Sequence, residues 1–176
     1  MKEKSMFVIS GGPSVGKTTI IEALETLGYP VLHEISTALI KEGILSPQRE
    51  REKFQREILR RQLEGEGRLM QLDGACFLDR GILDGMAYYE LDGLPVPADF
   101  NKLDVSHYAI MFLLEELPFF QDNGIRFEDL EYSKRITPII EGYYRKRNIP
   151  ILRVAAMPVE DRLDVILRAV ENHLNN

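Results

Sequence analysis

Residues 11–19 of the chain read Gly-Gly-Pro-Ser-Val-Gly-Lys-Thr-Thr, which satisfies the pattern G-x-x-x-x-G-K-[ST]. The stretch stands between the apolar run 6–9 and residues 18–27, whose apolar side chains recur at helical spacing. A glycine-rich turn that preceded a helix by chance would seldom combine the lysine, the hydroxyl residue and both flanking elements. The motif therefore predicts a phosphate-binding loop, or P-loop, and a nucleotide-binding protein.

The residue types of this loop each have a physical role in binding a polyphosphate. Backbone N–H groups at a helix N-terminus converge on phosphate oxygens. Lys17 is expected to neutralise the β and γ phosphates of ATP and Thr18 to ligate Mg²⁺, with GTP left open as the nucleotide. The expected nucleotide-binding residues are Gly12, Pro13, Ser14, Val15, Gly16, Lys17, Thr18 and Thr19.

Apolar runs along the chain predict about five strands that alternate with helices. The strands are expected at residues 6–9, 31–33, 75–78, 108–114 and 149–154. A charged helix is expected to begin with Pro47 at its first position. Its apolar face would comprise Phe54, Ile58, Leu59 and Leu63. The alternation predicts an α/β fold, a kinase-like P-loop NTPase with a parallel sheet in a three-layer sandwich, forming one domain over residues 1–176.

Composition narrows the class of protein further. Lys and Arg number 22 against 28 Asp and Glu, a net charge of −6, which argues against a dedicated binder of nucleic acid or anionic membranes. The single cysteine, Cys76, excludes a disulfide framework and is expected in the core. No apolar run is long enough to span a membrane, and the first strand follows too closely on Met1 for a signal peptide, so we expect a cytoplasmic protein. Arg162, at the start of the last helix, either flanks the base of the nucleotide or, as is commoner for such a residue, is an exposed helix charge.

Two polar residues follow the predicted strand 75–78. Asp79 has the position of the acid that holds Mg²⁺ in P-loop enzymes, although an aspartate after a strand also often caps a helix. Arg80 follows where ATP-driven motors carry a glutamate, which disfavours a motor. A guanidinium there would orient a substrate hydroxyl or phosphate, the alternative being a surface ion pair.

Two further groups of residues are candidates for the reaction itself. Glu34 closes the second strand at the same sheet edge as the P-loop and is either a general base or a solvated helix cap. A polar, turn-rich stretch within 121–147 resembles a mobile lid. Its arginines, Arg126 and Arg135, are expected to close over the γ phosphate, although single arginines at such positions are more often solvated.

Four blocks of sequence together resemble the AAA-type P-loop family that is grouped with ribosylnicotinamide kinase domains of NAD biosynthesis. They are the P-loop, residues 28–34, residues 77–81 and residues 117–126. The resemblance spans nearly the whole chain and implies ATP and Mg²⁺ as cofactors. The P-loop is its only highly specific block.

A more distant similarity to deoxynucleoside kinases rests on Glu34, on the helix that contains Phe54 and Gln55, on the Asp79-Arg80 pair and on the lid arginines. This likeness implies that Glu34 is the base on a ribose 5′-hydroxyl and that Arg80 orients the acceptor. It further implies that Gln55 or Gln62 contacts the acceptor. The chain departs from the pattern in lacking an arginine directly after Glu34 and in having Gly81 after the Asp-Arg pair.

These features predict a small-molecule kinase that transfers the ATP γ-phosphoryl group to a hydroxyl of a nucleoside-like acceptor, with ribosylnicotinamide as one candidate. The alternatives are a nucleotide-dependent regulatory switch, which would have a protein partner, and a slow ATPase or GTPase without an acceptor. The sequence leaves the oligomeric state open.

Overall fold

In the computed structural model of the chain, residues 4–43, 45–116 and 130–175 are described. The strands are β1 (Ser5–Ser10), β2 (Val31–Leu32), β3 (Ala75–Asp79), β4 (Tyr108–Leu114) and β5 (Ile151–Val154). The α-helices are α1 (Lys17–Thr26), α2 (Ile35–Glu42), α3 (Arg51–Leu69), α4 (Ile82–Leu91), α5 (Leu130–Lys146) and α6 (Val159–Leu174). A short 3₁₀ helix, Ala98–Lys102, precedes β4.

The strands form one parallel sheet in the order β2-β3-β1-β4-β5. Chain order reverses beside β1, so the carboxyl ends of β1 and β3 flank the point at which ligands bind in open α/β sheets. The P-loop follows β1 and the Asp79-Arg80 pair ends β3, which places both at this edge. This parallel α/β arrangement is the fold that the sequence predicted.

Side chains of β1 alternate between the two faces of the sheet. Met6 and Val8 join a cluster with α4 and α5, whereas Phe7 and Ile9 join a cluster with α1 and α6. All four side chains are buried, so both faces of β1 are covered, as a central parallel strand requires. The three-layer sandwich is therefore confirmed, and Cys76 lies in its core. In the part of the chain that is described, no helix is long and apolar enough to cross a membrane.

The structure corrects two details of the sequence interpretation of α3. The helix begins at Arg51, and Pro47 lies in a preceding turn in which Ser46 Oγ accepts a hydrogen bond from the Arg49 N–H. Leu63, expected on the apolar face, is 38% exposed. Both errors have one cause: local propensity does not show where the rest of the fold covers a helix.

Candidate functional site

Three residues of the P-loop have backbone φ angles in the left-handed region. Gly11 and Gly16 have φ values of 135° and 91°, which favour glycine, and Ser14 adopts a φ of 59°. Lys17 begins α1 and is 3% exposed. Its Nζ donates to the carbonyl oxygens of Gly11 at 3.2 Å and Gly12 at 2.6 Å, so the ammonium group lies within the loop.

Arg162 hydrogen-bonds to the backbone of the P-loop. The sequence interpretation of Arg162 as an exposed charge is wrong, because the residue is 2% exposed. Its guanidinium donates to the Val15 carbonyl oxygen at 2.7 Å and to the Glu115 carbonyl oxygen at 3.3 Å. Burial lowers the pKa of Arg162. The residue thus fastens α6 to the P-loop and to the end of β4.

Asp79 lies beside the P-loop at the end of β3 and is 1% exposed. The Thr18 hydroxyl donates to Asp79 Oδ2 at 3.4 Å. The N-terminal cap of α4 is Gly81, so the alternative role of Asp79 as the cap is not what the structure shows. A hydroxyl and a carboxylate so close together are oxygen ligands of the kind that Mg²⁺ takes.

Glu34 and Arg80 form a buried ion pair between the ends of β2 and β3. Arg80 Nε donates to Glu34 Oε1 at 2.9 Å, and the two side chains are 12% and 7% exposed. The Thr37 hydroxyl donates to Glu34 Oε2 at 2.6 Å. Glu34 occupies the N-cap position of α2, but its side chain makes no capping hydrogen bond. The pair is therefore neither a surface ion pair nor a helix cap.

The backbone turns sharply at Arg80. Its φ of 71° is rare for a residue with a β-carbon. The guanidinium lies over the Tyr88 ring, 4.9 Å from its centroid.

Close packing explains Gly81, at which the chain departs from the deoxynucleoside kinase pattern. A β-carbon there would lie 2.7 Å from the Tyr144 hydroxyl and 2.9 Å from that of Tyr108.

A cavity of about 240 Å³ opens beside these residues. Its lining includes Glu34, Asp79 and Arg80, together with both predicted acceptor contacts, Gln55 and Gln62. This volume lies just below the range of about 300–1,000 Å³ for pockets that take drug-sized ligands, and so suits a small metabolite. One cavity thus brings together five of the candidate residues: Glu34, Gln55, Gln62, Asp79 and Arg80.

Helix α3 presents one face to the cavity, at spacings of three and four residues. Its lining residues are Arg51, Phe54, Gln55, Ile58, Leu59 and Gln62. Gln55 is 9% exposed, and no described residue hydrogen-bonds its amide. The wall therefore combines apolar contact with a side-chain amide available to a ligand.

The orientation of the Gln62 amide is determined by its neighbours. Gln62 Nε2 lies 2.8 Å from Glu66 Oε1 and 3.0 Å from the Arg80 carbonyl oxygen. Glu66 in turn accepts from the Tyr108 hydroxyl at 2.8 Å and lies 3.1 Å from His107 Nε2. Because Gln62 faces two acceptors, both of its N–H donors are used and only its oxygen remains for a ligand.

Asp84 completes a polar network behind the site. The Ser10 hydroxyl donates to Asp84 Oδ1, while the Gly81 N–H at 3.0 Å and the Tyr144 hydroxyl at 2.6 Å donate to Oδ2. Burial and the adjacent Asp84 raise the pKa of Tyr144 well above its usual value, so the hydroxyl stays protonated. The sequence analysis missed Asp84, although an acid at the third position of a helix can accept the N–H of the N-cap residue, here Gly81.

The predicted lid contributes two candidate arginines. Arg126 falls outside the described residues. Arg135 lies on the exposed face of α5, and it is not among the described residues that line the cavity. Helix α5 nevertheless touches the P-loop, because a β-carbon on Gly12 would lie 2.0 Å from Ser133 Oγ. The role of both arginines and the bounds of the lid stay predictions.

Fold and site together define a P-loop nucleotide-binding protein of the kinase-like α/β class. A family model described as an AAA domain matches residues 6–162. The chain therefore belongs to this AAA domain family. No curated protein sequence matches it.

Several solved structures share the fold at low sequence identity. NadR protein in complex with NR has a TM-score of 0.77 at 16% identity, over 98% of this chain and 52% of that one. The chain thus spans about half the length of NadR. Deoxyadenosine kinase from M. mycoides with bound dATP has a TM-score of 0.66 at 16% identity, covering 95% and 99% of the two chains. Thymidylate kinase from Ehrlichia chaffeensis has a TM-score of 0.67 at 14% identity, covering 94% and 98%.

Proposed function

We propose that the chain is a kinase that transfers the γ-phosphoryl group of ATP to a hydroxyl of a nucleoside-like acceptor, with ribosylnicotinamide as the first candidate. The observation that carries the proposal is the cavity of about 240 Å³ beside the P-loop, lined by Glu34, Gln55 and Arg80. A regulatory switch or a simple hydrolase has no need of a second cavity with polar side chains on its walls. The structural neighbours named as kinases of nucleosides and nucleotides support the same class.

In this proposal the P-loop positions the nucleotide. Lys17 and the loop amides bind the β and γ phosphates, while Thr18 and Asp79 supply oxygen ligands for Mg²⁺. The bound cation would neutralise charge on the phosphate oxygens. GTP would fit the same loop, because these contacts involve phosphates alone.

The acceptor would bind in the cavity with its hydroxyl towards Glu34. The hydroxyl oxygen attacks the γ phosphorus, the bond from that phosphorus to the β–γ bridging oxygen breaks, and ADP leaves. The hydroxyl proton passes to Glu34, whose carboxylate is held by Arg80 and Thr37. Arg126 and Arg135 would stabilise the transferred group when the lid closes.

The proposal is tested by screening ribosides, including ribosylnicotinamide, and deoxynucleosides for ATP-dependent phosphorylation. A product that carries the ATP γ phosphate supports a kinase. Phosphate release that no riboside or deoxynucleoside alters would instead favour a slow hydrolase or a switch. Lys17→Ala tests the nucleotide site, and full phosphotransfer by this variant would refute it.

Glu34→Gln tests the general base. We expect phosphorylation to fall by about 10²–10⁴-fold, while calorimetry shows unchanged binding of Mg-ATP. Glu22→Gln, an exposed glutamate on α1, is the matched control and should retain full activity. Normal turnover by Glu34→Gln would contradict the assigned role.

A further inference from the structure

Asp92 is a carboxylate in an unfavourable place. It follows the last residue of α4, where the helix dipole contributes partial negative charge, and its side chain is only 5% exposed. Desolvation raises the pKa of Asp92, although Arg51 and Tyr132 oppose that effect. A buried acid at this end of a helix lowers the stability of the fold unless partners compensate its charge.

The contacts of Asp92 leave half of its carboxylate available. Arg51 Nη1 lies 3.2 Å from Oδ1, and the Tyr132 hydroxyl donates to the same oxygen at 3.3 Å. No described residue hydrogen-bonds Oδ2. The Arg51 side chain is 51% exposed, so its guanidinium can donate to a further group besides Asp92. If Asp92 served only to connect α4 to α3 and α5, both of its carboxylate oxygens would be expected to have partners. Oδ2 instead remains able to accept a hydrogen bond, although the side chain is nearly buried.

Asp92, Arg51 and Tyr132 all line the same cavity as Glu34 and Arg80. Arg80 precedes α4 and Asp92 follows it, so the ten residues of the helix separate the two by about 15 Å. The cavity therefore extends from the phosphoryl-transfer edge to a second polar end.

Aromatic side chains flank the path between these ends. The Tyr88 and Tyr132 rings lie 6.2 Å apart between centroids, with 36° between their planes, and both line the cavity. Phe54 and Phe100 add further apolar lining. Flat apolar walls beside a polar end suit a planar ring with hydrogen-bonding groups on its far edge.

We propose that Asp92 and Arg51 form a head-group subsite that recognises the edge of a planar heteroaromatic ring remote from the phosphorylated hydroxyl. Asp92 Oδ2 accepts from an N–H donor on that edge, and the Arg51 guanidinium donates to the adjacent acceptor atom. The inference rests on the proposed function and specifies its acceptor class. Carboxamide and amino-substituted rings satisfy the pattern, whereas a carboxylate or carbonyl at the donor position places oxygen against oxygen.

Matched pairs of ribosides test this specificity. Cytidine presents an amino donor where uridine presents a carbonyl acceptor, and ribosylnicotinamide presents a carboxamide where the riboside of nicotinic acid presents a carboxylate. For the wild-type protein we expect the donor-bearing member of a pair to be favoured by about 10-fold or more in kcat/KM. The difference should lie mainly in KM, because the subsite is remote from the reacting atoms.

Asp92→Asn is the decisive variant, because it replaces the open acceptor with an amide of the same shape. We expect it to abolish or reverse the preference within each pair, while Mg-ATP binding is unchanged. Asp99→Asn, an exposed acid on the 3₁₀ helix, is the control and should keep the wild-type preference. If Asp92→Asn does not fold, Arg51→Ala tests the donor half of the subsite at a half-exposed side chain. It should weaken the binding of cytidine and ribosylnicotinamide by about 10-fold, and unchanged binding would overturn the subsite.

Calorimetry of riboside binding without ATP separates this inference from the proposed function. Preferential binding of cytidine or ribosylnicotinamide that Asp92→Asn removes, without phosphorylation, supports the subsite and refutes the kinase. Phosphorylation with an unchanged preference in Asp92→Asn overturns the subsite and leaves the kinase standing. A wild-type protein that binds neither donor-bearing riboside more tightly than its counterpart also overturns the subsite.

Discussion

Replacing Gly12 with alanine tests how closely the P-loop and α5 are packed. A β-carbon on Gly12 would meet Ser133 Oγ at 2.0 Å and Thr137 Oγ1 at 3.2 Å. Ordinary contacts begin at 3.4 Å, so the loop or the helix must yield by about 1.4 Å, the difference between 3.4 and 2.0. Ser133 is fully buried, which leaves its hydroxyl little room to move away.

The expected cost follows from this overlap. Overpacking of a well-packed core costs about 1–3 kcal/mol. For a chain of this length each kcal/mol lowers Tm by about 2–4 °C, so Gly12→Ala should melt about 2–12 °C below the wild-type protein. Thermal unfolding followed by circular dichroism measures the shift directly.

Two further variants isolate the cause. Ser133→Ala removes the atom at 2.0 Å, so the double variant should lose less stability than the sum of the two single losses. Gly67→Ala is the matched control, because a β-carbon there meets nothing within 4 Å and lies in α3. It should stabilise the protein by about 0.5–1 kcal/mol. The packing argument fails if Gly12→Ala has the same Tm as the wild-type protein. It also fails if the double variant loses the full sum of the stability losses of Gly12→Ala and Ser133→Ala.

Three other predictions concern buried groups. Burial raises the pKa of the Cys76 thiol to about 11, so iodoacetamide at pH 8 should label it only after denaturation, and rapid labelling of the native protein would contradict its placement. Arg162→Met leaves the Val15 and Glu115 carbonyls without their donor and should cost about 1–3 kcal/mol in thermal melts. Arg168→Met, whose side chain is 74% exposed on the same helix, should change stability by less than about 1 kcal/mol, and equal losses would refute the buried role. Glu66→Gln places an amide among hydrogen-bond donors and should likewise cost about 1–3 kcal/mol, whereas unchanged melting would show that the network around it is not needed.

The sequence alone determined the P-loop, the parallel sheet and the edge at which the site forms. Each of these depends on residues that are contiguous in the chain. A strand, a glycine-rich turn and a helix start within 20 residues of one another, and their periodicity reports which faces are buried. The strand at Tyr108–Leu114 was predicted with its observed bounds for the same reason.

The tertiary structure decided which polar side chains are buried and what they contact. Arg162 lies in the first turn of α6 among acidic residues that face solvent, yet its guanidinium donates to the carbonyl oxygen of Val15, 147 positions earlier in the chain. Gly65 lets α3 pack against β2, since a β-carbon there would lie 2.6 Å from Leu32 Cδ1. Asp92 gives no signal in the sequence that distinguishes it from a solvated acid. The burial of a charged group depends on partners from distant segments, and a linear pattern of residues contains no record of which segments will meet.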